Sequence, residues 1–443
     1  MRLTTGVGRS VMSSMSGSSG VSVAEAQAMT LGPRAVPANT WISKYTSPPP
    51  PEIGAVDAVI GAVHSIVQLK PNVAQLTTAP EYVPVEAEWT AYRPGAGKTP
   101  LPDISEKDKY TAMLEDVTDP TTIMYLHGGG YTMLDPQSHR PFVKQLCKRT
   151  GGRLYSVRYR LSPQAVFPAA LLDAFVSYLT LLYPPPGAYH TPVKPEHLVI
   201  AGESAGGNLT MSLLQLLLEL RRTNVRVAWF GEDHEIPLPA GAACNSPWLD
   251  VTHSFIPHSG SKPLKYDILW EPDPEGSWQK NPCPDHIWPA NPPRRNYYAE
   301  DHLVMHPLVS IIGTRPADWA GAPPIYICAG WEQLGMESRV FARRIATQTK
   351  VPIVFEEYAA MPHCFAMILP KTPAAAHCYD KWASFMKRCV NEPGTITSKA
   401  TRIRPRTLAE EDIDFEKLTK LSDEECRKIF ELQNSPHKVA SRL

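Results

Sequence analysis

Two short segments of the 443-residue chain combine residue types that can attack a carbonyl group. The first is Gly202-Glu203-Ser204-Ala205-Gly206, a serine set among small neighbours. A serine hydroxyl becomes a nucleophile when a base takes its proton, and it must project clear of the chain to reach a carbonyl carbon. The G-x-S-x-G pattern meets that need on a sharp strand-to-helix turn, whose strained backbone tolerates little bulk on either side. Here the apolar run Leu198–Ala201 precedes the serine, and a helical pattern opening with Gly206-Gly207-Asn208 follows it. The N-terminus of that helix would turn the positive end of its dipole towards a developing oxyanion. Five-residue matches occur by chance, but a strand before and a helix after make this one informative.

The second segment is His127-Gly128-Gly129-Gly130, directly after the apolar run Thr122–Leu126. Residues without side chains let backbone N–H groups approach a carbonyl oxygen as it gains charge. Gly128, Gly129 and Gly130 are therefore the expected oxyanion hole, completed by the N–H of Ala205. Losing one donor of this kind costs about 100- to 1000-fold in rate. His127 reads as an organiser of the loop rather than a proton carrier. The two segments lie about 75 residues apart, in the order this chemistry needs.

The surrounding pattern supplies elements to hold them. From about residue 85 to 370, strand-like and helix-like segments alternate, as in a parallel sheet flanked by helices. Expected strands are Val85–Tyr92, Tyr110–Glu115, Thr122–Leu126, Leu154–Tyr159, Leu198–Ala201, Gly241–Ser246, Ile325–Ala329 and Ile353–Tyr358. Expected helices are Ser138–Thr150 with Ser138 as its cap, Pro168–Leu182, Gly206–Arg222 and Ser338–Thr349. The fold class is α/β, a mostly parallel, doubly wound sheet in one catalytic domain spanning 84–392. Residues 1–50, rich in Ser, Gly, Ala and Pro, read as a disordered leader. Residues 51–83 carry an amphipathic helix (Ile53, Val56, Val59, Ile60, Val63, Ile66, Val67) expected to cap the core. Between 251 and 301 the pattern breaks into a proline-rich stretch with Trp270, Trp278 and Trp288, expected as a cap insertion on the sheet's rim. Residues 393–443 form a charged extension, with Ser422-Asp423-Glu424-Glu425 as a capping box ahead of a helix through Leu432.

Composition narrows the partners. Lys+Arg and Asp+Glu both number 44, so the formal charge is zero and nothing favours nucleic acid or an anionic membrane. No apolar run approaches the length of a transmembrane helix. The eight cysteines form no Cys-x-x-Cys pair and no cluster at metal-ligand spacing, and read as reduced thiols. Forty-five prolines point to many non-helical connections.

These segments resemble the hormone-sensitive-lipase family of α/β-hydrolases between about Thr121 and Leu369. Tyr159-Arg160-Leu161-Ser162-Pro163, then Phe167-Pro168-Ala169-Ala170-Leu171 with Asp173, match the stretch between oxyanion loop and nucleophile. Ser246-Pro247-Trp248-Leu249-Asp250 matches the strand after the nucleophile helix. The resemblance implies a serine esterase or lipase that needs no metal or organic cofactor and has Ser204 as its nucleophile. Family order places the base last, in a loop after a strand, which selects His363 in Met361-Pro362-His363-Cys364-Phe365. The family's acid is mostly Asp shortly after the strand that is here Ile325–Ala329. This chain departs from that pattern: the position holds Glu332, with Glu337 as the alternative. The implied reaction is hydrolysis of an apolar ester, such as a sterol or secondary-metabolite ester. Acyl transfer to an alcohol uses the same groups and stays open. A non-catalytic ligand receptor is the third reading, and His363 argues against it. The C-terminal Ser441-Arg442-Leu443 resembles the Ser-Lys-Leu address read by the peroxisomal import receptor, so a peroxisomal location is expected, with the cytoplasm as the alternative.

Overall fold

The computed structural model describes residues 21–67, 76, 79–256, 265–269 and 283–433. In chain order these form helix α1 (Val23–Thr30), strand β1 (Thr40–Ser47), α2 (Gly54–Val67), β2 (Val85–Tyr92) and α3 (Glu106–Glu115). Next come β3 (Thr122–Leu126), α4 (Pro136–Thr150), β4 (Arg153–Arg158), α5 (Ala169–Leu182), β5 (Leu198–Glu203) and α6 (Ala205–Arg222). A hairpin of β6 (Arg226–Trp229) and β7 (Glu232–Glu235) precedes β8 (Gly241–Asn245), β9 (Ile325–Gly330), α7 (Gly335–Gln348) and β10 (Ile353–Tyr358). The described chain closes with α8 (Phe365–Ile368), α9 (Pro373–Asn391), β11 (Lys399–Ile403), β12 (Glu410–Asp412) and α10 (Asp423–Gln433).

Ten strands form one sheet in the order β1-β2-β4-β3-β5-β8-β9-β10-β11-β12. From β4 to β11 every neighbouring pair is parallel, and the antiparallel pairs lie at the two edges. The central strands β3, β5, β8 and β9 are buried throughout, because helices cover both faces and leave no side for polar alternation. One core layer packs Val143, Leu146 and Cys147 of α4 with Trp382, Phe385 and Met386 of α9. The other face carries α2, α5, α6 and α7. This is the mostly parallel, doubly wound α/β sheet that the sequence pattern implies. No helix among the described residues is long and apolar enough to cross a membrane.

Several boundaries differ from expectation, each for a physical reason. Tyr110–Glu115 belongs to helix α3 rather than a strand. Ser105 caps it by accepting the Asp108 N–H, and Tyr110 and Met113 face the core at helical spacing. Asp135, not Ser138, is the N-cap of α4; Ser138 is the reciprocal partner in that capping box. The expected leader does not run to residue 50: α1 and β1 are ordered, and β1 pairs along its whole length with β2. The boundary at 392 likewise cuts into the sheet, since β11 pairs in parallel with β10. Its Lys and Arg residues suit an outer strand and hid it in a charged context. At α10 the expected capping box is present: Ser422 and Glu425 each accept the other's backbone N–H.

The expected cap helix α2 lies elsewhere. It runs along α5 and α6, and its Ser65 donates to Glu219 in the last turn of α6, the end remote from Ser204. The segment against the oxyanion loop is instead α1. Gln27 donates to the carbonyls of Thr132 and Ser162, and Thr30 Oγ accepts the Leu134 N–H. Asp285 accepts the Ala24 N–H, which joins α1 to the 251–301 stretch. Within that stretch Trp288 meets Tyr297 edge-on at 4.3 Å, while Trp270 and Trp278 lie outside the described residues, as do Ser441–Leu443.

Candidate active site

The parallel strands end on one edge of the sheet, and the chain turns after β3, β5, β8, β9 and β10 deliver the groups singled out above. Such an edge, at the carboxyl ends of parallel strands, is where open α/β sheets bind ligands. β5 ends at Glu203 and α6 begins at Ala205, so Ser204 alone makes the turn. Its φ of 53° and ψ of −121° are strained for a residue with a side chain. The elbow can be this sharp because Gly206 has no Cβ; one added there would run into the carbonyl oxygen of Leu126 at the end of β3.

His363 sits on the loop after β10, with its Nε2 3.0 Å from Ser204 Oγ. On the other side of the ring, Nδ1 meets a carboxylate oxygen of Glu332, from the loop after β9. The second oxygen of Glu332 accepts the Gly330 N–H at 2.9 Å and the Ser246 hydroxyl at 2.7 Å. Ser246 in turn accepts the Cys364 N–H at 3.1 Å, so its own proton is directed at Glu332. The two donors on its second oxygen thus hold that carboxylate facing the imidazole. Burial disfavours the charged forms of both partners. Against it, the His363 ring and the Ser246 and Gly330 donors hold Glu332 below its ordinary value. Cys364 and Glu332 hold His363 above its own. The site therefore favours an imidazolium facing a carboxylate, the charge state that arises when the serine proton moves to Nε2.

Glu337 does not reach this histidine. Its carboxyl accepts the Leu249 N–H at 2.6 Å, and burial together with Asp250 pushes it well above the carboxylate range. It is a buried brace for the turn after β8.

The glycine loop after β3 is shaped by its neighbours. Gly129 and Gly130 have φ of +104° and +60°. Gly128 departs from expectation, because its N–H is engaged by the Glu203 carboxylate and is not directed at a substrate. Glu203 also accepts from Tyr125 Oη at 2.5 Å and lies 2.7 Å from His139 Nε2. The variable position of the elbow motif is thus the anchor of the glycine loop. Sequence reading passed over Glu203 and missed His139, although a buried carboxylate beside the serine must find donors somewhere. His127 stacks on Tyr159 at 4.3 Å, and its Nδ1 lies 2.8 Å from the Gly128 carbonyl. Burial, then the nearby His139, keeps it well below the usual imidazole range, as suits a loop organiser. Tyr131, just past the glycines, donates to Asn208 in the first turns of α6 at 2.6 Å.

Gly129→Ala is expected to disable the loop. A Cβ at that φ is strained and would collide with the Met133 carbonyl. We expect kcat to fall about 100-fold or more with the fold retained, as for the loss of an oxyanion donor, measured by ester hydrolysis alongside thermal melting. Wild-type turnover in the folded variant would remove this loop from the reaction.

A strained serine at the strand-to-helix elbow, a histidine within reach and a glycine loop beside both define a class of hydrolase. A family model described as the alpha/beta hydrolase fold matches residues 123–367, over half the chain, and the chain belongs to that family. It is similar to an acetyl-hydrolase of Streptomyces hygroscopicus, 29% identical over 278 residues, which cover 62% of this chain and 78% of that protein. A 163-residue stretch is 33% identical to the hormone-sensitive lipase of Bos taurus, covering 32% of this chain and 21% of that one. Among solved structures, a homologue of hormone-sensitive lipase from a metagenome library, EstE7, superposes with a TM-score of 0.50 at 26% identity. That match covers 76% of this chain and 93% of EstE7. Within its family the protein is of the hormone-sensitive-lipase type, a serine ester hydrolase.

Proposed function

We infer that the chain hydrolyses carboxylic esters through an acyl-enzyme on Ser204, with His363 as base and Glu332 as the acid that orients it. The observation that carries this reading is the unbroken line of contacts from Ser204 Oγ to His363 Nε2, and from Nδ1 to Glu332. Ser204 Oγ adds to the ester carbonyl as its proton passes to His363 Nε2. The N–H groups of Gly129, Gly130 and Ala205 take up the oxyanion's charge. The tetrahedral species collapses, the C–O bond to the alcohol breaks, and the alcohol leaves with the proton from His363. A water molecule, deprotonated by the same nitrogen, then attacks the acyl carbonyl; the acid departs and Ser204 regains its proton.

The substrate is an apolar ester with a small acyl group. Half-buried Trp248 and Trp331, on the turns after β8 and β9, leave apolar surface partly open beside the site. The acetyl-hydrolase relative supports a short acyl chain, and a sterol or secondary-metabolite acetate fits both features. Nitrophenyl esters from acetate to palmitate, assayed with and without an alcohol acceptor, test the reading. Turnover should be fastest on the shorter esters and yield free acid in water. A rate no higher than that of the Ser204→Ala variant on every ester would overturn it.

A further inference from the structure

Asp267 belongs to the 251–301 stretch, expected as a cap insertion on the sheet's rim. Its carboxylate is nevertheless buried in the centre of the site. One oxygen accepts the backbone N–H of His363 at 3.0 Å and that of Ile268 at 2.8 Å. The other accepts the backbone N–H of Gln333 at 2.8 Å, and Gln333 directly follows Glu332. The Gln333 side chain closes the connection by donating to the Leu269 carbonyl at 2.9 Å. Beside it, the rings of Tyr266 and Trp331 meet at 5.8 Å. Residues 266–269 are thus stitched to two loops, one bearing the histidine and the other its glutamate.

A second carboxylate close to Glu332 is an arrangement that pure packing does not explain. Burial and the like charge of Glu332 both push Asp267 above its ordinary value, so holding it there is unfavourable unless its hydrogen bonds matter. Those bonds go to the backbone amides of His363 and Gln333, which set where the two side chains start. The loops after β9 and β10 have no shared backbone ladder beyond Gly330 and Tyr358, where the strand pairing ends. A single carboxylate that accepts from both fixes their separation.

We propose that Asp267 is a positioning residue for the reaction: it holds His363 and Glu332 in register by gripping the backbone of both loops at once. Its carboxylate bonds the backbone amides of both loops, so its removal acts on kcat through geometry. The proposal rests on the Ser204–His363–Glu332 reading above.

The test uses the full chain with Asp267→Ala and Asp267→Asn. Active sites are titrated with a fluorophosphonate so that kcat is expressed per competent site. Asp267→Ala removes both grips, and kcat should fall about 100-fold, the scale of a misplacement of roughly 1 Å, with KM unchanged. Asn retains one carbonyl acceptor and the shape of the side chain, and should lose about 10-fold, the scale of one hydrogen bond. A residue that served folding alone would lower the titrated fraction and the melting temperature and leave kcat per site untouched; that result overturns the proposal. Should the alanine variant fail to fold, the asparagine variant decides alone, and wild-type kcat per site in it overturns the proposal equally. Ser204→Ala is run in parallel. Persistent labelling there defeats the underlying triad reading, whereas loss of labelling with normal Asp267 variants defeats only this inference.

Discussion

Replacing Ser204 by alanine is expected to abolish ester cleavage and fluorophosphonate labelling while leaving the protein folded. The elbow backbone is already strained at φ 53°, and alanine inherits that strain without adding to it. The hydroxyl's one catalytic contact is His363 Nε2 at 3.0 Å, so its loss opens no cavity and strands no other buried donor. Removing the nucleophile of a serine hydrolase costs on the order of a million-fold in kcat, because the histidine and acid have nothing left to activate. Ester turnover by the purified variant, mass spectrometry of the labelled peptide and a melting curve together check the result. Labelling undiminished in a folded Ser204→Ala protein would move the nucleophile elsewhere.

Glu332→Gln is the second large effect, and the hydrogen bonds say why. Gly330 N–H and the Ser246 hydroxyl both donate to the same oxygen of Glu332. In the glutamine variant those donors keep the amide oxygen where it is and turn the NH2 group towards His363 Nδ1. That nitrogen must then accept, which places the ring proton on Nε2, the atom that has to receive the Ser204 proton. The corresponding change of acid to amide in a serine protease costs about 10,000-fold, and a loss of that order is expected here. The pH profile provides a second readout. The Glu332 charge holds His363 above its usual value, so removing it lowers the histidine's pKa. The neutral base then persists to lower pH, and the acid limb of kcat/KM moves down. Glu337→Gln should change little, because burial and Asp250 push that carboxyl up and it contacts the Leu249 backbone rather than His363. The reverse ranking of the two variants would reassign the acid.

The parts of this site that could be read in advance are those whose chemistry is written into a few consecutive residues. A nucleophile elbow needs glycines where a Cβ would strike the neighbouring strand, and Gly202 and Gly206 stand at such places. A glycine loop needs positive φ, and Gly129 and Gly130 provide it. Apolar runs such as Ile123–Leu126 and Val199–Ala201 declare buried parallel strands, because both faces of the sheet are covered. The α/β class, and the reading of Ser204, His363 and Glu332 as the reacting groups, rest on such local demands together with the family resemblance.

What the chain did not disclose locally concerns residues that matter through partners far away in sequence. Glu203 looked like a spacer, and only the fold brings Tyr125, Gly128 and His139 to its carboxylate. The segment before residue 50 looked like a leader, yet β1 finds its whole ladder in β2, and Gln27 finds carbonyls more than a hundred residues away. Helix α2 showed an apolar stripe that says it must be covered, without saying by what; α5 and α6 cover it, away from Ser204. Asp267 stood in a proline-rich stretch with no periodicity, and it ends up gripping the backbone beside both His363 and Glu332. The division has one physical cause. Backbone strain, glycine clearance and strand burial are imposed by immediate neighbours and leave a mark on composition and spacing. A buried carboxylate, by contrast, needs only some donor within 3 Å, and any segment of the chain can supply it, so the choice of segment belongs to the tertiary structure alone.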